Sequence, residues 1–392
     1  MLRAFFFSSL MCAVLHGALA ERPPIDAELE AETVLVITPL SDDSEGRESE
    51  TFLGEASLFG TAETVLESGV RLRGRFALRL QKDHPQRPGG SGGFGNDTTA
   101  APSAFSGLSD GPVPTGEGDD LRARLETAYI QVDGGYGELR IGKDSGVAAR
   151  FYEGAPSVFS HTRGDTPLLD ATGLTTVRTR HDLTGPSAKV SYATPRLLGV
   201  RAGLSFTPEA DADGLDRRPS AGGALSAPEI KTAVEMTINA TRTLRDSGLR
   251  FDAAVAWSTA NVSPKFGAAS YGDMETLSAG LKLDYKAWSA GISMLSSDNG
   301  LSGGDYTAWN AGLMRESDFF DISFTYGEAE DDSANLDGSS WRLGVGKDFD
   351  TGLGLAVAYV DDSVKINGID VSGNGIVVEM TLSSEIFSLT SY

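Results

Sequence analysis

The chain has 392 residues, with 33 Lys and Arg against 55 Asp and Glu, and its formal net charge is −22. This acidity disfavours nucleic-acid binding, because acidic surfaces repel the phosphate backbone. The single cysteine, Cys12, excludes an intrachain disulfide and a cysteine-based metal site.

The N-terminus has the pattern of a secretory signal peptide. Arg3 precedes an apolar run over 4–15, and Ala18-Leu19-Ala20 supplies small residues at a cleavage-site spacing. We expect residues 1–20 to be removed and residues 21–392 to form a single domain. Lipidation at Cys12 is the weaker alternative, because the preceding residues match a lipobox poorly. No later apolar run approaches the roughly 18 residues of a membrane helix, so only a closed β-barrel could span a bilayer.

The first predicted strand covers 33–38 and is followed by an acidic loop over 41–50. The segment 70–80, Val-Arg-Leu-Arg-Gly-Arg-Phe-Ala-Leu-Arg-Leu, then alternates apolar residues with Arg71, Arg73, Arg75 and Arg79. Successive side chains of a strand point to opposite faces. A transmembrane barrel wall turns the apolar face to lipid and the charged face to a water-filled lumen.

The same alternation recurs along the chain, at 200–206, 249–257, 277–285, 320–326 and 376–382. No sustained helical period is present, so the chain is predicted to be all-β. Short connections are predicted at 62–68, 133–136, 194–198, 243–248, 286–288, 315–318 and 348–352. Long ones are predicted at 83–120, 144–180, 209–228, 259–273, 296–304, 328–338 and 361–374. This order is typical of an antiparallel barrel of about 16 strands with short periplasmic turns and long extracellular loops.

Acidic residues concentrate in the predicted long loops, at 41–50, 209–216, 328–332 and 361–362. They either solvate the surface or bind divalent cations such as calcium, which would bridge them to one another or to lipopolysaccharide phosphates. No defined calcium motif is present.

The predicted inward faces are basic. Their cations are Arg71, Arg73, Arg75, Arg79, Arg122, Arg124, Arg140, Lys189, Arg201, Arg250, Lys282, Lys286 and Arg342. Their anions are Glu126, Glu138, Glu235, Asp252, Asp284 and Asp321. Aromatic residues near outward strand ends are predicted to form the interfacial girdles; they are Trp257, Tyr285, Trp288, Tyr326, Trp341 and Tyr359.

Two segments carry a family resemblance. Residues 125–143, with Leu125-Glu126-Thr127-Ala128-Tyr129 and then Gly137-Glu138-Leu139-Arg140-Ile141-Gly142-Lys143, are similar to a strand–turn–strand of Gram-negative general porins, especially alphaproteobacterial ones. Residues 181–203 resemble the strands that follow the third loop of that family. The resemblance implies a homotrimer of 16-stranded barrels in the outer membrane, with loop three, 144–180, folded into each pore.

The family pairs acids on loop three with a basic cluster on the facing wall. Carried over by position, the resemblance assigns the loop acids to Glu153, Asp165 and Asp170. It assigns the wall cations to Arg71, Arg73, Arg75, Arg79, Arg122, Arg124 and Lys143. Loop three departs from the family pattern, because it lacks the usual acidic tip and carries Arg150, Arg163, Arg178 and Arg180.

These features predict passive diffusion of small hydrophilic solutes and ions, with weak anion preference because the lumen is basic. The alternative is a channel specific for phosphate-type anions, because arginine binds phosphate through paired hydrogen bonds. An enzyme is disfavoured: His84, His161 and His181 lie in or beside predicted loops, no nucleophile elbow is present, and no cofactor is expected. A purely structural surface protein is the remaining reading.

Overall fold

The computed structural model describes residues 23–38, 40–42, 51–84, 121–210, 229–263, 271–300, 303–332, 335–366 and 368–391. Within these ranges the chain forms one sheet of seventeen antiparallel strands. The strands are β1 (Ile25–Ile37), β2 (Leu40–Asp42), β3 (Phe52–Val65), β4 (Arg71–Lys82), β5 (Arg122–Gly134), β6 (Gly137–Asp144), β7 (Ser187–Ala193), β8 (Val200–Glu209), β9 (Glu229–Leu244), β10 (Leu249–Ser263), β11 (Asp273–Tyr285), β12 (Trp288–Ser297), β13 (Tyr306–Arg315), β14 (Asp321–Asp331), β15 (Leu336–Asp348), β16 (Leu353–Ile366) and β17 (Ile369–Ser391).

The sheet closes on itself, because β1 pairs with both β17 and β3. The short β2 continues the line of β1 along β17, so the wall has sixteen strand positions. The predicted all-β barrel of about 16 strands is therefore confirmed. The one described helix, α1 (Val147–Arg150), has four residues; among the described residues no helix is long and apolar enough to cross a membrane.

The alternation of apolar and polar residues separates the two faces of the wall. On β10, Val255 is exposed on the outer face, whereas Asp252 and Ser258 are buried on the inner face. The outer face carries aromatic side chains near the strand ends: Trp341 packs on Tyr359 at 5.3 Å and Trp309 on Tyr326 at 5.5 Å between ring centroids. Most buried residues lie between the inner wall and the connection from β6 to β7.

Each predicted short connection coincides with a turn between consecutive strands. The first strand differs from the prediction, since β1 begins at Ile25 rather than at residue 33. Two connections predicted to be long are short instead: β14 runs to Asp331 before β15 starts at Leu336, and β16 runs to Ile366 before β17 starts at Ile369. The acidic residues there lie on strands whose apolar residues Ala329, Leu336, Val364 and Val371 pack inward. Glu328, Glu330 and Asp361 alternate with them on the outer face, whereas Asp331 and Asp362 are buried on the inner face.

The predicted signal peptide, 1–20, the acidic segment 43–50 and most of the connections 83–120 and 209–228 lie outside the described residues. The connection 144–180 was predicted to fold into the pore. In the structure the connection between β6 and β7 is 145–186, and this segment is called loop three below.

Candidate pore constriction

The arginine row of β4 faces the lumen. Phe76 and Leu78 are exposed on the outer face, and Ala77, which shares the register of Arg71, Arg73, Arg75 and Arg79, is buried on the inner face. Two arginines of the row form ion pairs with β3: Arg73 Nη2 lies 2.7 Å from Glu63 Oε2, and Arg79 Nη2 lies 2.5 Å from Glu55 Oε2. The row is therefore partly neutralised by its neighbouring strand.

A row of carboxylates on β1 was missed in the sequence. Asp26, Glu28, Glu30 and Glu32 share the inner register with the buried Val34 and Val36. Residues 25–31, Ile-Asp-Ala-Glu-Leu-Glu-Ala, alternate apolar and acidic side chains as a barrel strand does. The prediction did not include them because it began the first strand at residue 33. Since β3 alone separates β1 from β4, an acidic row and a basic row stand side by side on the lumen wall.

Arg122 and Arg124 lie on β5 and also face inward. Arg122 Nη2 donates to Gln81 Oε1 at 3.1 Å, and Arg124 pairs in register with Arg79. Lys143 does not join them: it lies in register with Ala128 and Ala188, and with Ile141 on the outer face of the wall. The assignment of Lys143 to the pore wall was therefore wrong, because Gly142 and Asp144 hold the inner positions of β6 there.

Loop three crosses the inside of the barrel and is held by hydrogen bonds to many strands. Near its start Val147 N donates to Ser205 Oγ on β8 at 2.9 Å. Further along, Glu379 on β17 accepts the backbone N–H groups of Ser160 and Thr162, both at 2.8 Å. Polar strand residues therefore replace the water that would otherwise satisfy this irregular backbone.

Two glycine positions show how closely loop three approaches the wall. A Cβ at Gly280 on β11 would lie 1.9 Å from the carbonyl oxygen of Glu153, and one at Gly291 on β12 would lie 2.3 Å from that of Gly154. The absence of a side chain at these two positions provides the space that the backbone of loop three occupies.

The three predicted loop acids are not arrayed against the arginine row. Glu153 lies against β9 to β11, with its Oε1 3.4 Å from Asn239 Nδ2, and burial together with the neighbouring Asp252 raises the pKa of Glu153. The other two are engaged within the loop.

Asp165 accepts hydrogen bonds from Arg163 Nε at 3.0 Å and from the Tyr152 hydroxyl at 2.7 Å. Burial raises the pKa of this carboxyl, but these partners outweigh burial and hold the pKa below its ordinary value. Asp170 is fully buried and accepts the backbone N–H groups of Gly173 and Thr175. Both carboxylates stabilise the loop conformation rather than line the lumen.

The open space beside loop three is lined by cations instead. A lumen cavity of about 420 Å³ has Arg163, Arg180, Lys282 and no carboxylate among its lining residues. Arg163 and Lys282 have carboxylate partners, Asp165 and Asp284. The side chain of Arg180 forms no ion pair with any residue that the structure describes.

The wall as a whole is less basic than predicted. The predicted inward cations do face inward except Lys286, which lies in a turn over the ring of Tyr285. The inner register also contains carboxylates that were not predicted, namely Asp26, Glu28, Glu30, Glu32, Glu55, Glu63, Asp133, Asp144, Asp331, Asp348, Asp362, Glu379 and Glu385. The cationic character is local to the space beside loop three.

His181 helps to hold loop three against the wall. His181 is buried, and its ring nitrogens form hydrogen bonds with Ser278 Oγ at 2.9 Å and Ser258 Oγ at 2.7 Å. Burial lowers its pKa to about 4, so the ring is neutral. Among the described residues, no cluster of His, Cys, Asp and Glu has the arrangement of a metal site. The predicted calcium-binding segments 41–50 and 209–216 lie largely outside those residues.

The fold and sequence are similar to known proteins. The profile described as Gram-negative porin matches residues 30–367. No curated protein sequence matches the chain.

Solved structures share the architecture at low sequence identity. The anion-selective porin from Comamonas acidovorans is 12% identical, with a TM-score of 0.56, covering 92% of this chain and 98% of its own. Salmonella typhi OmpF, in complex with daunomycin, is 13% identical, with a TM-score of 0.58 and coverage of 92% and 97%. The trimer form of Vibrio cholerae OmpT is 12% identical, with a TM-score of 0.54 and coverage of 92% and 99%.

Proposed function

The chain belongs to the Gram-negative porin family, and from this we propose that it is a passive channel for small hydrophilic solutes and ions with a weak preference for anions. It is an outer-membrane protein, since the family and the closed barrel both place it there. The proposal includes export through the signal peptide at 1–20, assembly as a homotrimer and contact with outer-membrane lipid and lipopolysaccharide.

The observation that carries the ion preference is the cation lining beside loop three. Arg163, Arg180 and Lys282 line the lumen cavity of about 420 Å³ without a carboxylate among the lining residues. The sign of the charge near the narrowest part of a channel decides which ions enter it most readily. The preference is weak because Asp165 and Asp284 neutralise the charges of Arg163 and Lys282. It is weakened further because β1 carries a row of acidic side chains on its inner face.

The arginine row of β4 gives weaker support to the alternative function, a channel specific for phosphate-type anions, than to a channel with a weak general anion preference. Arg73 and Arg79 are ion-paired with Glu63 and Glu55, and a paired guanidinium has fewer donors for a passing anion. We therefore place the selectivity of the channel at loop three and not at the β4 row.

The ion preference is tested by the reversal potential of the purified protein in a planar bilayer under a KCl gradient. We expect a small potential of the sign given by chloride permeation. In Arg180→Gln it is expected to shift towards the potassium equilibrium potential, because the cation without an ion pair is lost.

Arg315→Gln is the matched control, since Arg315 lies on the outer face over the ring of Trp288. A clear cation preference of the unmodified protein, or equal potentials for Arg180→Gln and Arg315→Gln, would contradict the assignment. Passive diffusion itself is tested separately by the swelling of proteoliposomes in neutral sugars, and absence of swelling would contradict the channel function.

A further inference from the structure

Three arginines from three elements converge below the start of loop three. Arg140 lies on β6, Arg150 at the end of α1, and Arg201 on β8. Glu138 joins the first two: its Oε1 lies 2.8 Å from Arg140 Nε and also accepts from Arg150 Nη2. All three residues are partly exposed. The group formed by Arg140, Arg150 and Arg201 is called the arginine cluster.

The arginine cluster has more positive than negative charge. Arg140 Nη1 also donates to Asp144 Oδ2 at 2.8 Å. The two carboxylates, Glu138 and Asp144, therefore neutralise the charges of Arg140 and Arg150. Arg201 forms no ion pair with any residue within the described ranges. Arg196 adds a further positive charge close by, and its own donors are occupied by Gly199 O and Asn239 Oδ1, both at 2.6 Å.

Aromatic rings fix the orientation of the guanidinium groups. Arg201 Cζ lies 3.8 Å from the ring centroid of Phe151, and Arg140 Cζ lies 4.6 Å from that of Tyr129. Both rings are buried. A guanidinium that stacks on a ring keeps its N–H donors at its edge, so these edges are held in place for a ligand in the lumen.

Two of the buried donors have no partner. Arg150 Nη1 and Arg201 Nε are shielded from solvent, and neither forms a hydrogen bond within the described chain. A buried donor without an acceptor is unfavourable, and Arg150, Arg140 and Arg196 lie close enough to Arg201 to repel it. Both effects favour an anion beside these groups.

We propose that the arginine cluster binds a tetrahedral oxyanion of the phosphate class during its passage through the channel. Its oxygens would accept from the guanidinium groups of Arg150 and Arg201, while the excess positive charge favours a dianion over a monoanion. Charge-assisted hydrogen bonds of this kind are the geometry that arginine offers to phosphate. The proposal rests on the channel function proposed above and names a solute class for it.

The test measures chloride current through the channel in a planar bilayer while inorganic phosphate replaces chloride at constant ionic strength. In the unmodified protein, phosphate is expected to reduce the current with a saturable concentration dependence, whereas acetate, a monoanion, does so only at far higher concentration. In Arg201→Gln the half-blocking concentration of phosphate is expected to rise by roughly tenfold, the effect of losing one charge-assisted hydrogen bond.

Arg315→Gln on the outer face is the matched control and should be blocked like the unmodified protein. Arg201→Lys keeps the charge but loses the guanidinium group and its paired donors, so it should still lose most of the phosphate block. This separates a bound oxyanion from a general attraction of anions by the electric field.

The proposal is overturned if phosphate does not block the unmodified channel, if acetate blocks as well as phosphate, or if Arg201→Gln and Arg201→Lys are blocked at the same concentration as the control. Each of these outcomes leaves the KCl current intact, so the channel function would still stand. Absence of any current from the unmodified protein contradicts the channel function instead.

Discussion

At the residue scale, the closeness of loop three to the wall depends on glycine. Gly280 faces the backbone of Glu153 so closely that a Cβ would lie 1.9 Å from its carbonyl oxygen. No flexible side chain is available to move away, because the obstacle is backbone. The identity of this single residue therefore sets how far loop three can lie against β11.

We expect Gly280→Val to push loop three off β11. Overpacking of this kind costs about 1–3 kcal/mol, and the change should lower the free energy of unfolding measured by urea titration in lipid vesicles. It should also alter the single-channel conductance, because the loop narrows the lumen. Gly74→Val is the control, since a Cβ at Gly74 meets nothing within 4 Å; equal effects of both variants would contradict the close approach.

At the element scale, loop three is fastened to the far side of the barrel by a buried ion pair. Arg342 Nη2 on β15 lies 3.0 Å from Asp362 Oδ2 on β16, and the two side chains are 3% and 0% exposed. Asp362 also accepts the hydroxyl groups of Thr172 and Thr175 from loop three, at 2.6 Å and 3.1 Å. The pair thus holds both the wall and the loop.

Arg342→Gln is expected to destabilise the barrel by about 3–5 kcal/mol, because it leaves the carboxylate of Asp362 buried without a counter-charge. Arg250→Gln removes a cation that is 53% exposed in its pair with Asp252 and should cost about 1 kcal/mol or less. The stability of both variants is measured by gel electrophoresis of samples heated to increasing temperatures below boiling. The temperature at which the band of the folded form disappears is compared with that of the unmodified protein. Similar losses of stability would show that the buried pair carries no special role.

At the scale of the whole molecule, the wall is a polar surface inside and an apolar one outside. Leu343 is exposed on the outer face of β15, close to the aromatic pair of Trp341 and Tyr359. Asp337 lies on the same face of the same strand beyond Trp341. The outer face therefore changes from apolar to acidic within one strand, which is where the bilayer is expected to end.

We expect Leu343→Arg to lower the free energy of unfolding in vesicles by about 2–4 kcal/mol, because it places a charge on the lipid face. Asp337→Arg, on the same face beyond the aromatic residues, should change it by about 1 kcal/mol or less. Urea titrations of both variants in vesicles test the depth dependence. Equal costs at the two positions would contradict the predicted position of the bilayer along β15.

The barrel could be predicted from the sequence because its evidence is local. Alternation with a period of two identifies each strand and assigns Phe76 and Arg75 to opposite faces without knowledge of any partner strand. Short turns such as 286–287 are equally local. The acidic segments 328–332 and 361–362 were exceptions, because Ala329, Leu336 and Val364 are buried against loop three, and this contact cannot be recognised in the sequence.

The charges of the pore were decided by the tertiary structure. Which carboxylate meets Arg73 depends on the register of β3 and β4, and the acidic row of β1 depends on where that strand begins. Asp165 and Asp170 bind their own loop, and Lys143 faces outward, because the path of loop three and the register of β6 decide these positions. The sequence by itself determined a closed wall with one lipid face and one aqueous face. Only the folded barrel decided which charges remain available to a passing ion. The reason is that ion pairs across strands and with an irregular loop follow no periodic pattern in the sequence.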